Sequence, residues 1–206
     1  MPVQPEDGRG VVLGSRRIFG ATKRGAFEMF RLLYRLRVEG AERVPPAGPI
    51  VVAANHPSFV DPPILFLAFP REIRFLAWNR LFEHPILAAG LRLVGAIPVD
   101  LSWSAPSTIK AARRVLEAEE VLGIFPEGHR TRSERLDPLK RGVVSLAAQF
   151  RAPIVPVTIA GTRRVWGYGM RSPRLTGRVR VAIHSSIEPP SSTEAAVVQD
   201  VLDRIR

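Results

Sequence analysis

The stretch NHPSFVD, residues 55–61, carries two side chains that are suited to acid-base chemistry. The imidazole of His56 can remove a proton from an alcohol near neutral pH, and the carboxylate of Asp61 can hold its other nitrogen and fix the tautomer. On a straight helix, residues five apart point about 140° away from each other. The pair can therefore meet only if His56 lies in a turn before the helix. Pro57 favours such a turn, because a residue that precedes proline avoids the helical conformation.

Asp61 also has a purely structural interpretation. It precedes Pro62 and Pro63, and an acidic residue before a proline at the first helical position is typical of a helix N-cap. Capping and orienting do not exclude each other, because a capping Asp61 still lies one tight turn from His56. If the pair is functional, the protein needs no serine or cysteine nucleophile, since the hydroxyl of a bound substrate can itself attack an acyl carbon.

Short apolar runs rich in β-branched residues predict the strands that position this pair. Residues 49–54, 121–125 and 152–160 are apolar on both alternating faces, as strands buried on both sides of a sheet must be, and residues 178–183 predict a fourth strand. Helical candidates alternate with them at residues 64–69, 85–93, 107–118 and 142–150. NHPSFVD follows the first strand and PEGHRTR the second, at the strand ends where open α/β sheets bind ligands.

This alternation predicts an α/β fold with a largely parallel central sheet flanked by helices. We expect a single domain over residues 1–206, with residues 44–190 as its core. The basic stretch that starts at Gly161 predicts a mobile surface loop, and residues 188–206 predict turns followed by an amphipathic helix.

The N-terminal segment, residues 14–37, predicts an amphipathic basic helix. Phe19, Ala26, Phe30 and Leu33 recur at helical spacing among many arginines and lysines. Two interpretations remain open. The helix can lie on an anionic membrane surface, with its arginines on the headgroups, or it can pack on the domain with its arginines in water.

The composition limits the classes of function. A formal net charge of +11 indicates a partner of opposite sign, which can be nucleic acid, anionic lipid or a phosphate-bearing substrate. The chain has no cysteine, which excludes disulfides, thiolate nucleophiles and zinc-cysteine sites. The polar N-terminus does not resemble a signal peptide, and no apolar stretch reaches the ~20 residues of a membrane span. We therefore expect a peripheral protein on the cytoplasmic face of the cell membrane.

Four ordered segments resemble the glycerolipid acyltransferases, the 1-acylglycerol-3-phosphate acyltransferase group. NHPSFVD matches that family's signature of Asn, His, four residues and Asp. The others are GAIPVD at 95–100, FPEGHRTRS at 125–133 followed by LKRG at 139–142, and IVPVTIAG at 154–161. The resemblance covers roughly residues 37–161.

The resemblance implies a reaction and its participants. His56 would be the general base on a glycerol hydroxyl, and Asp61 would orient it. The acyl group would come from a thioester of coenzyme A or acyl carrier protein as co-substrate, with no cofactor and no metal. The acceptor would be a lysophospholipid, first of all 1-acylglycerol-3-phosphate, which would give phosphatidic acid.

The predicted substrate-binding residues lie around the matched segments. They are Asn55, Ser58, Glu127, Gly128, Arg130, Lys140 and Arg141. Arg130 offers a fork of donors to a phosphate, and Glu127 can hold a hydroxyl or order that arginine. Lys140 and Arg141 precede a predicted helix start, and a helix N-terminus also favours the binding of a phosphate.

Two departures bear on the acceptor. The family's second segment continues into an arginine that binds the acceptor phosphate, whereas here Asp100 is followed by Leu101. His129 replaces the usual threonine of the third segment. Neither change touches the acyl-transfer chemistry, so the sequence predicts the reaction type more firmly than the acceptor.

Other functions remain open at this point. The acceptor can be a different lysolipid or hydroxylated compound, or water can replace it, which would make the reaction a hydrolysis. A non-catalytic basic module on anionic membrane or nucleic acid is a further alternative. Only Trp166 and Tyr168 stand among arginines as a nucleic-acid surface would require, so no nucleic acid is expected. His56, Asp61, Glu127 and His129 match no familiar metal-ligand spacing, so no metal is predicted.

Overall fold

The computed structural model describes residues 15–100, 105–131, 138–189, 199–200 and 203–204, and in the first helix it describes side chains from Lys23 onward. The helices are α1 (Ser15–Leu33), α2 (Asp61–Ala68), α3 (Pro85–Leu93), α4 (Pro106–Glu117), α5 (Gly142–Phe150) and α6 (Arg163–Trp166). The strands are β1 (Arg37–Glu39), β2 (Ile50–Ala54), β3 (Ile73–Trp78), β4 (Ile97–Val99), β5 (Val121–Ile124), β6 (Ile154–Ala160) and β7 (Arg180–Ile183).

The strands form one 7-stranded sheet in the order β1-β7-β6-β2-β5-β3-β4. The strands from β6 to β4 in that order run parallel to their neighbours. Strand β7 is antiparallel to β6, and β1 is parallel to β7. The predicted α/β fold with a largely parallel central sheet is confirmed.

Strand β2 lies at the centre and explains why helices cover both faces. All of its residues are buried, and successive side chains point to opposite sides. Ile50 and Val52 join a core cluster with α2, whereas Val51 and Ala53 join a second cluster with α4 and α5. A strand that is apolar on both faces thus needs a helical layer on each side.

The predicted central strands are confirmed as β2, β5 and β6, and the predicted helices as α2 to α5. Strands β1, β3 and β4 were not predicted. Strands β1 and β4 have only three residues each, and β4 contains Pro98. In β3 the side chain of Arg74 interrupts the apolar run, and it pairs with Glu120 across 3.1 Å.

Helix α1 ends at Leu33, earlier than predicted, because the chain turns at Arg35, which has a left-handed φ of 45°, and then enters β1. Phe27 and Phe30 pack against the core of the domain. Met29 and Leu32 are 51% and 72% exposed. The helix therefore packs on the domain and also leaves an apolar edge outside. Within the described part of the chain, every helix is too short or too polar to cross a bilayer.

The surface loop predicted after Gly161 is confirmed only in part, since residues 168–176 are irregular and mostly exposed but a short, partly buried helix precedes them. This helix is α6, and both Thr162 and Val165 are fully buried. The helix predicted for the C-terminal tail lies largely outside the described residues, of which 199–200 and 203–204 are helical.

Candidate active site

The turn after β2 is fixed to the neighbouring strand β6 by one side chain. The Oδ1 atom of Asn55 accepts a hydrogen bond of 2.7 Å from the backbone N–H of Ile159, and its Nδ2 atom donates one of 2.9 Å to the carbonyl of the same residue. This clamp ends β2 and holds the next residue, His56, above the carboxyl edge of the sheet. The substrate contact predicted for Asn55 stays a prediction, since the contacts seen here are structural.

His56 and Asp61 meet, as the turn before the helix predicts. The Nδ1 atom of His56 lies 2.9 Å from Oδ2 of Asp61, and the same oxygen accepts a 2.6 Å hydrogen bond from the backbone N–H of Ser58. Asp61 is the first residue of α2, and Val60 occupies the N-cap position without a side-chain cap. The N-cap interpretation of Asp61 is therefore wrong. The carboxylate serves the histidine and the turn instead.

The surroundings of His56 fix its ring and its tautomer. An ionised Asp61 accepts a hydrogen bond from Nδ1–H, which leaves Nε2 as the basic atom. The ring stacks on Phe125, with centroids 4.1 Å apart and planes 19° apart, and 17% of its side chain is exposed. Among the described residues, none hydrogen-bonds Nε2. The basic nitrogen can therefore receive a proton from outside.

Asp61 is a buried carboxylate with opposing influences on its charge. Burial raises the pKa of Asp61 above its ordinary value, and the contacts with His56, the Thr162 hydroxyl and the Ser58 N–H oppose this rise. The Oδ1 atom of Asp61 and the hydroxyl of Thr162 are both buried, and neither has a hydrogen-bond partner in good geometry. Thr162 is thus the donor available to the second carboxylate oxygen.

Glu127 ties the turn after β5 to the turn that carries His56. Its Oε1 atom accepts the His56 backbone N–H at 3.0 Å, and its Oε2 atom accepts the hydroxyl of Thr131 at 2.6 Å. The Thr131 N–H in turn donates to the His56 carbonyl at 2.8 Å. Glu127 is 1% exposed, and these contacts give it a structural role in the turn. The substrate contact predicted for Glu127 stays a prediction.

Arg130 is held by two aromatic rings near His56 and Asp61, which together form the candidate catalytic dyad. Its Cζ atom lies 3.4 Å from the ring centroid of Phe59 and 5.6 Å from that of Tyr168. Both rings are about half exposed. A guanidinium that stacks by its face points its donors along the plane of the rings, which is the geometry that recognises a phosphate.

Gly128 and Lys140 bring the two basic segments together. Gly128 has a φ of 74°, and a Cβ atom on it would lie 2.4 Å from the Nζ atom of Lys140. The Lys140 N–H donates to the carbonyl of Pro126 at 2.8 Å. The ammonium therefore crosses directly over the turn that contains Glu127. Arg141 stands next to it, exposed, at the start of α5.

Ser58 is fully buried and its contacts are structural, so the substrate contact predicted for it stays a prediction. Its hydroxyl donates to the carbonyl of Trp166 at 2.8 Å and accepts the N–H of Val60. Ser58 therefore joins the catalytic turn to α6. The sequence reasoning missed Thr162 and Trp166. The rule that polar residues after strand ends form the site, applied to β6 as well, would have found Thr162.

The departure at Leu101 lies outside the described residues. Its neighbour Asp100 accepts hydrogen bonds from Asn79 and Ser107, each at 3.0 Å. Across the part of the chain that the structure describes, no three histidine, aspartate or glutamate side chains converge as metal ligands.

Comparison with known proteins adds to this geometry. The family model named Acyltransferase matches residues 35–160. The 1-acyl-sn-glycerol-3-phosphate acyltransferase of Bacillus subtilis is 36% identical over 127 residues, which are 61% of this chain and 63% of that protein. The chloroplastic 1-acyl-sn-glycerol-3-phosphate acyltransferase of Brassica napus is 29% identical over 157 residues, 75% of this chain and 45% of that protein. The chain thus spans less than two thirds of either relative.

A solved structure shares the fold. The 1-acyl-sn-glycerophosphate acyltransferase of Thermotoga maritima superimposes with a TM-score of 0.73 at 23% identity, covering 92% of this chain and 75% of that one. The likeness extends well beyond the matched segments and includes most of the sheet and its helices.

Proposed function

The chain belongs to the Acyltransferase family, and from this premise we propose that it transfers a fatty acyl group from a thioester to the free hydroxyl of a lysophospholipid, with 1-acylglycerol-3-phosphate as the first candidate. The observation that carries the proposal is the contact of 2.9 Å between Nδ1 of His56 and the buried Asp61, which leaves Nε2 as the basic nitrogen of a partly exposed ring. The two relatives whose names specify this acceptor support its choice.

The proposed chemistry uses the substrate hydroxyl as the nucleophile. Nε2 of His56 takes the hydroxyl proton while that oxygen attacks the thioester carbonyl and a C–O bond forms. The C–S bond of the tetrahedral intermediate then breaks, and the departing sulfur takes the proton back from the imidazolium. Asp61 stabilises the imidazolium between the two steps. The products are an ester and a free thiol.

Three cations support a phosphorylated acceptor. Arg130, held on its aromatic platform, offers a fork of donors, and Lys140 and Arg141 add charge across the Gly128 turn. The net charge of +11 favours anionic substrates and an anionic membrane surface. The proposed place of action is the cytoplasmic face of the membrane, with the protein bound peripherally. Coenzyme A and acyl carrier protein both remain donors under this proposal.

A different lysolipid acceptor is the second candidate. The observation that favours it is Leu101, which follows Asp100 where the resemblance leads one to expect a phosphate-binding arginine. A panel of lysophosphatidic acid, lysophosphatidylglycerol and lysophosphatidylethanolamine, each offered with both donor thioesters, separates the two candidates by the rate of thiol release and the mass of the lipid product.

The test of the reaction is His56→Ala in the same assay. We expect a loss of roughly 10²- to 10⁴-fold in acylation, because the general base is removed. His184→Ala is the matched control, since His184 lies away from the dyad and hydrogen-bonds Thr158. Full activity in a folded His56→Ala protein would show that His56 is not the general base. Thiol release that does not depend on the acceptor would indicate hydrolysis.

A further inference from the structure

A cleft at the sheet edge is lined by arginines to which the proposed reaction gives no role. It has a volume of about 430 Å³ and is formed by Arg35, Arg37, Arg178 and Arg180 together with the end of β6 at Ala160 and Gly161. Pockets that hold small ligands begin at roughly 300 Å³. The cleft is therefore large enough for a phosphorylated group.

The register of β1 and β7 brings these arginines face to face. Arg37 lies directly opposite Arg180 in the parallel pair. Arg35 and Arg178 each stand two residues earlier in the chain and line the same cleft. The residues that separate the arginines on each segment, Leu36 and Val179, are buried in the core. Like charges directly opposite each other on neighbouring strands are destabilising. Since all four arginines are exposed, core packing does not account for this placement.

The protein's own acids neutralise only part of this charge. Glu39 pairs with Arg180, and that hydrogen bond, together with the charges of Arg180 and Arg37, holds the pKa of Glu39 below its ordinary value. Within the described residues, the side chains of Arg35, Arg37 and Arg178 have no hydrogen-bond or ion-pair partner. Three guanidinium groups are thus available to an external anion.

The cleft opens at the same edge of the sheet as the His56 site. Strand β6 runs parallel to β2 and ends at Ala160. The next residue, Gly161, has a φ of 88°, and a Cβ atom on it would lie 1.9 Å from the carbonyl oxygen of Arg178. Only glycine allows this close approach, which forms the floor of the cleft. Thr162, which follows Gly161, is close enough to Asp61 to influence its pKa, so the cleft and the His56–Asp61 pair adjoin along the chain.

We propose that this arginine cleft binds a phosphate group with two or more negative charges. Forked guanidinium groups on two strands match the several oxygens of such an anion, and a bound anion would relieve the repulsion between them. The phosphate can belong to a membrane lipid headgroup or to a soluble phosphate ester, such as the nucleotide part of a thioester donor. Binding does not require acyl transfer, so it can be tested without the proposed reaction.

The test compares two double variants that lose the same charge. Arg37→Gln with Arg178→Gln alters the cleft, and Lys110→Gln with Arg114→Gln alters the exposed face of α4. We measure the binding of inorganic pyrophosphate by calorimetry. We expect the cleft variant to bind about tenfold more weakly than the wild type, because two charge-assisted contacts are lost, and the α4 variant to stay within about twofold.

Two further arms identify the source of the phosphate. The same proteins are tested with 3′,5′-adenosine diphosphate and, by sedimentation, with vesicles of phosphatidylglycerol in phosphatidylcholine. A selective loss of vesicle binding in the cleft variant indicates a lipid headgroup, and a selective loss of nucleotide binding indicates a soluble ester. If the wild type does not bind pyrophosphate, or the cleft variant binds it as well as the α4 variant, the proposal is wrong. Arg178→Gln alone serves as a second cleft variant should the double one fail to fold.

Discussion

At the scale of single residues, the site depends on a carboxylate that the fold has buried. Asp61 is fully buried, and burial raises its pKa because the charged form has lost its contact with water. Keeping Asp61 ionised therefore costs free energy of folding. The same charge is what stabilises an imidazolium on His56. Function and stability therefore make opposite demands on this one side chain.

Asp61→Asn should separate the two demands. We expect activity to fall by roughly 10⁴-fold, because the neutral amide neither fixes the tautomer nor supports the imidazolium. A carboxyl whose pKa is raised by folding contributes stability that is present below its unfolded pKa of about 3.9 and is lost as the pH rises through the folded pKa. Asp61→Asn should therefore be more resistant to urea than the wild type at pH 8, with a smaller difference at pH 5. A uniform loss of stability at both pH values would contradict this account.

Thr162→Val should reveal a positioning residue. Without its hydroxyl, Oδ1 of Asp61 loses a donor that lowers the carboxyl pKa, so the acidic limb of the kcat/KM profile should move to higher pH. We expect about a tenfold fall in kcat. The matched control is Thr158→Val, on the exposed side of β6. A loss of activity without a shift of the pH profile would mean that Thr162 acts only in packing.

At the scale of elements, the turn between β5 and α5 carries the proposed acceptor cations. Gly128 and Gly169 both have left-handed φ values, 74° and 83°, but only at Gly128 would a Cβ atom meet another side chain, that of Lys140. An alanine would strain the backbone at both positions, but only at Gly128 would its methyl group also contact a side chain of the site, that of Lys140.

Gly128→Ala and Gly169→Ala should each lower the free energy of unfolding by about 1–2 kcal/mol, because alanine is strained in the left-handed region. Only Gly128→Ala should also raise KM for a phosphorylated acceptor, since its methyl group displaces the ammonium of Lys140. Steady-state kinetics and urea unfolding on both variants check this. If Gly128→Ala and Gly169→Ala have the same KM for the phosphorylated acceptor, Lys140 does not contact the acceptor.

The elements that the sequence predicts are those with a strong local pattern. Strands β2 and β5 and the first four residues of β6 are apolar and buried on both faces, so their burial in the sheet follows from the local pattern. Strands β1 and β4 are short edge strands, and β1 is held by β7, which lies near the other end of the sequence. Such pairing between strands cannot be predicted from the local pattern of apolar residues.

The same distinction applies to the candidate site. His56 and Asp61 are close in sequence, and Pro57 alone indicates the turn that joins them. Thr162 reaches Asp61 only because β6 lies beside β2. The burial of Glu127 likewise involves the His56 backbone, 71 residues away in the sequence, besides Thr131 in its own segment. Spacing identifies the charged residues but does not say which of them the fold encloses.

At the scale of the whole molecule, the apolar edge of α1 is the feature that suits a membrane surface. Met29 and Leu32 are exposed on a basic helix whose other side packs on the core through Phe27 and Phe30. Apolar side chains that enter the lipid interface while cations meet anionic headgroups give peripheral binding. Packing on the domain would hold that edge at a fixed angle to the site.

Met29→Ser with Leu32→Ser should weaken binding to anionic vesicles at least about tenfold, because each side chain loses roughly 1.5–3 kcal/mol of burial. Ile109→Ser with Leu175→Ser is a matched control, with exposures of 44% and 75% against 51% and 72%. Vesicle sedimentation measures the difference, and urea unfolding should be unchanged in both. If both pairs reduce binding equally, α1 is not the membrane-facing element.

The hydrogen bonds around His56 have a consequence for how the protein loses activity on heating. Asn55 joins the turn to β6, Glu127 joins it to the turn after β5, and Ser58 joins it to α6. The dyad cannot come apart while these segments keep their native contacts. We therefore expect loss of the proposed activity on heating to coincide with cooperative melting of the domain.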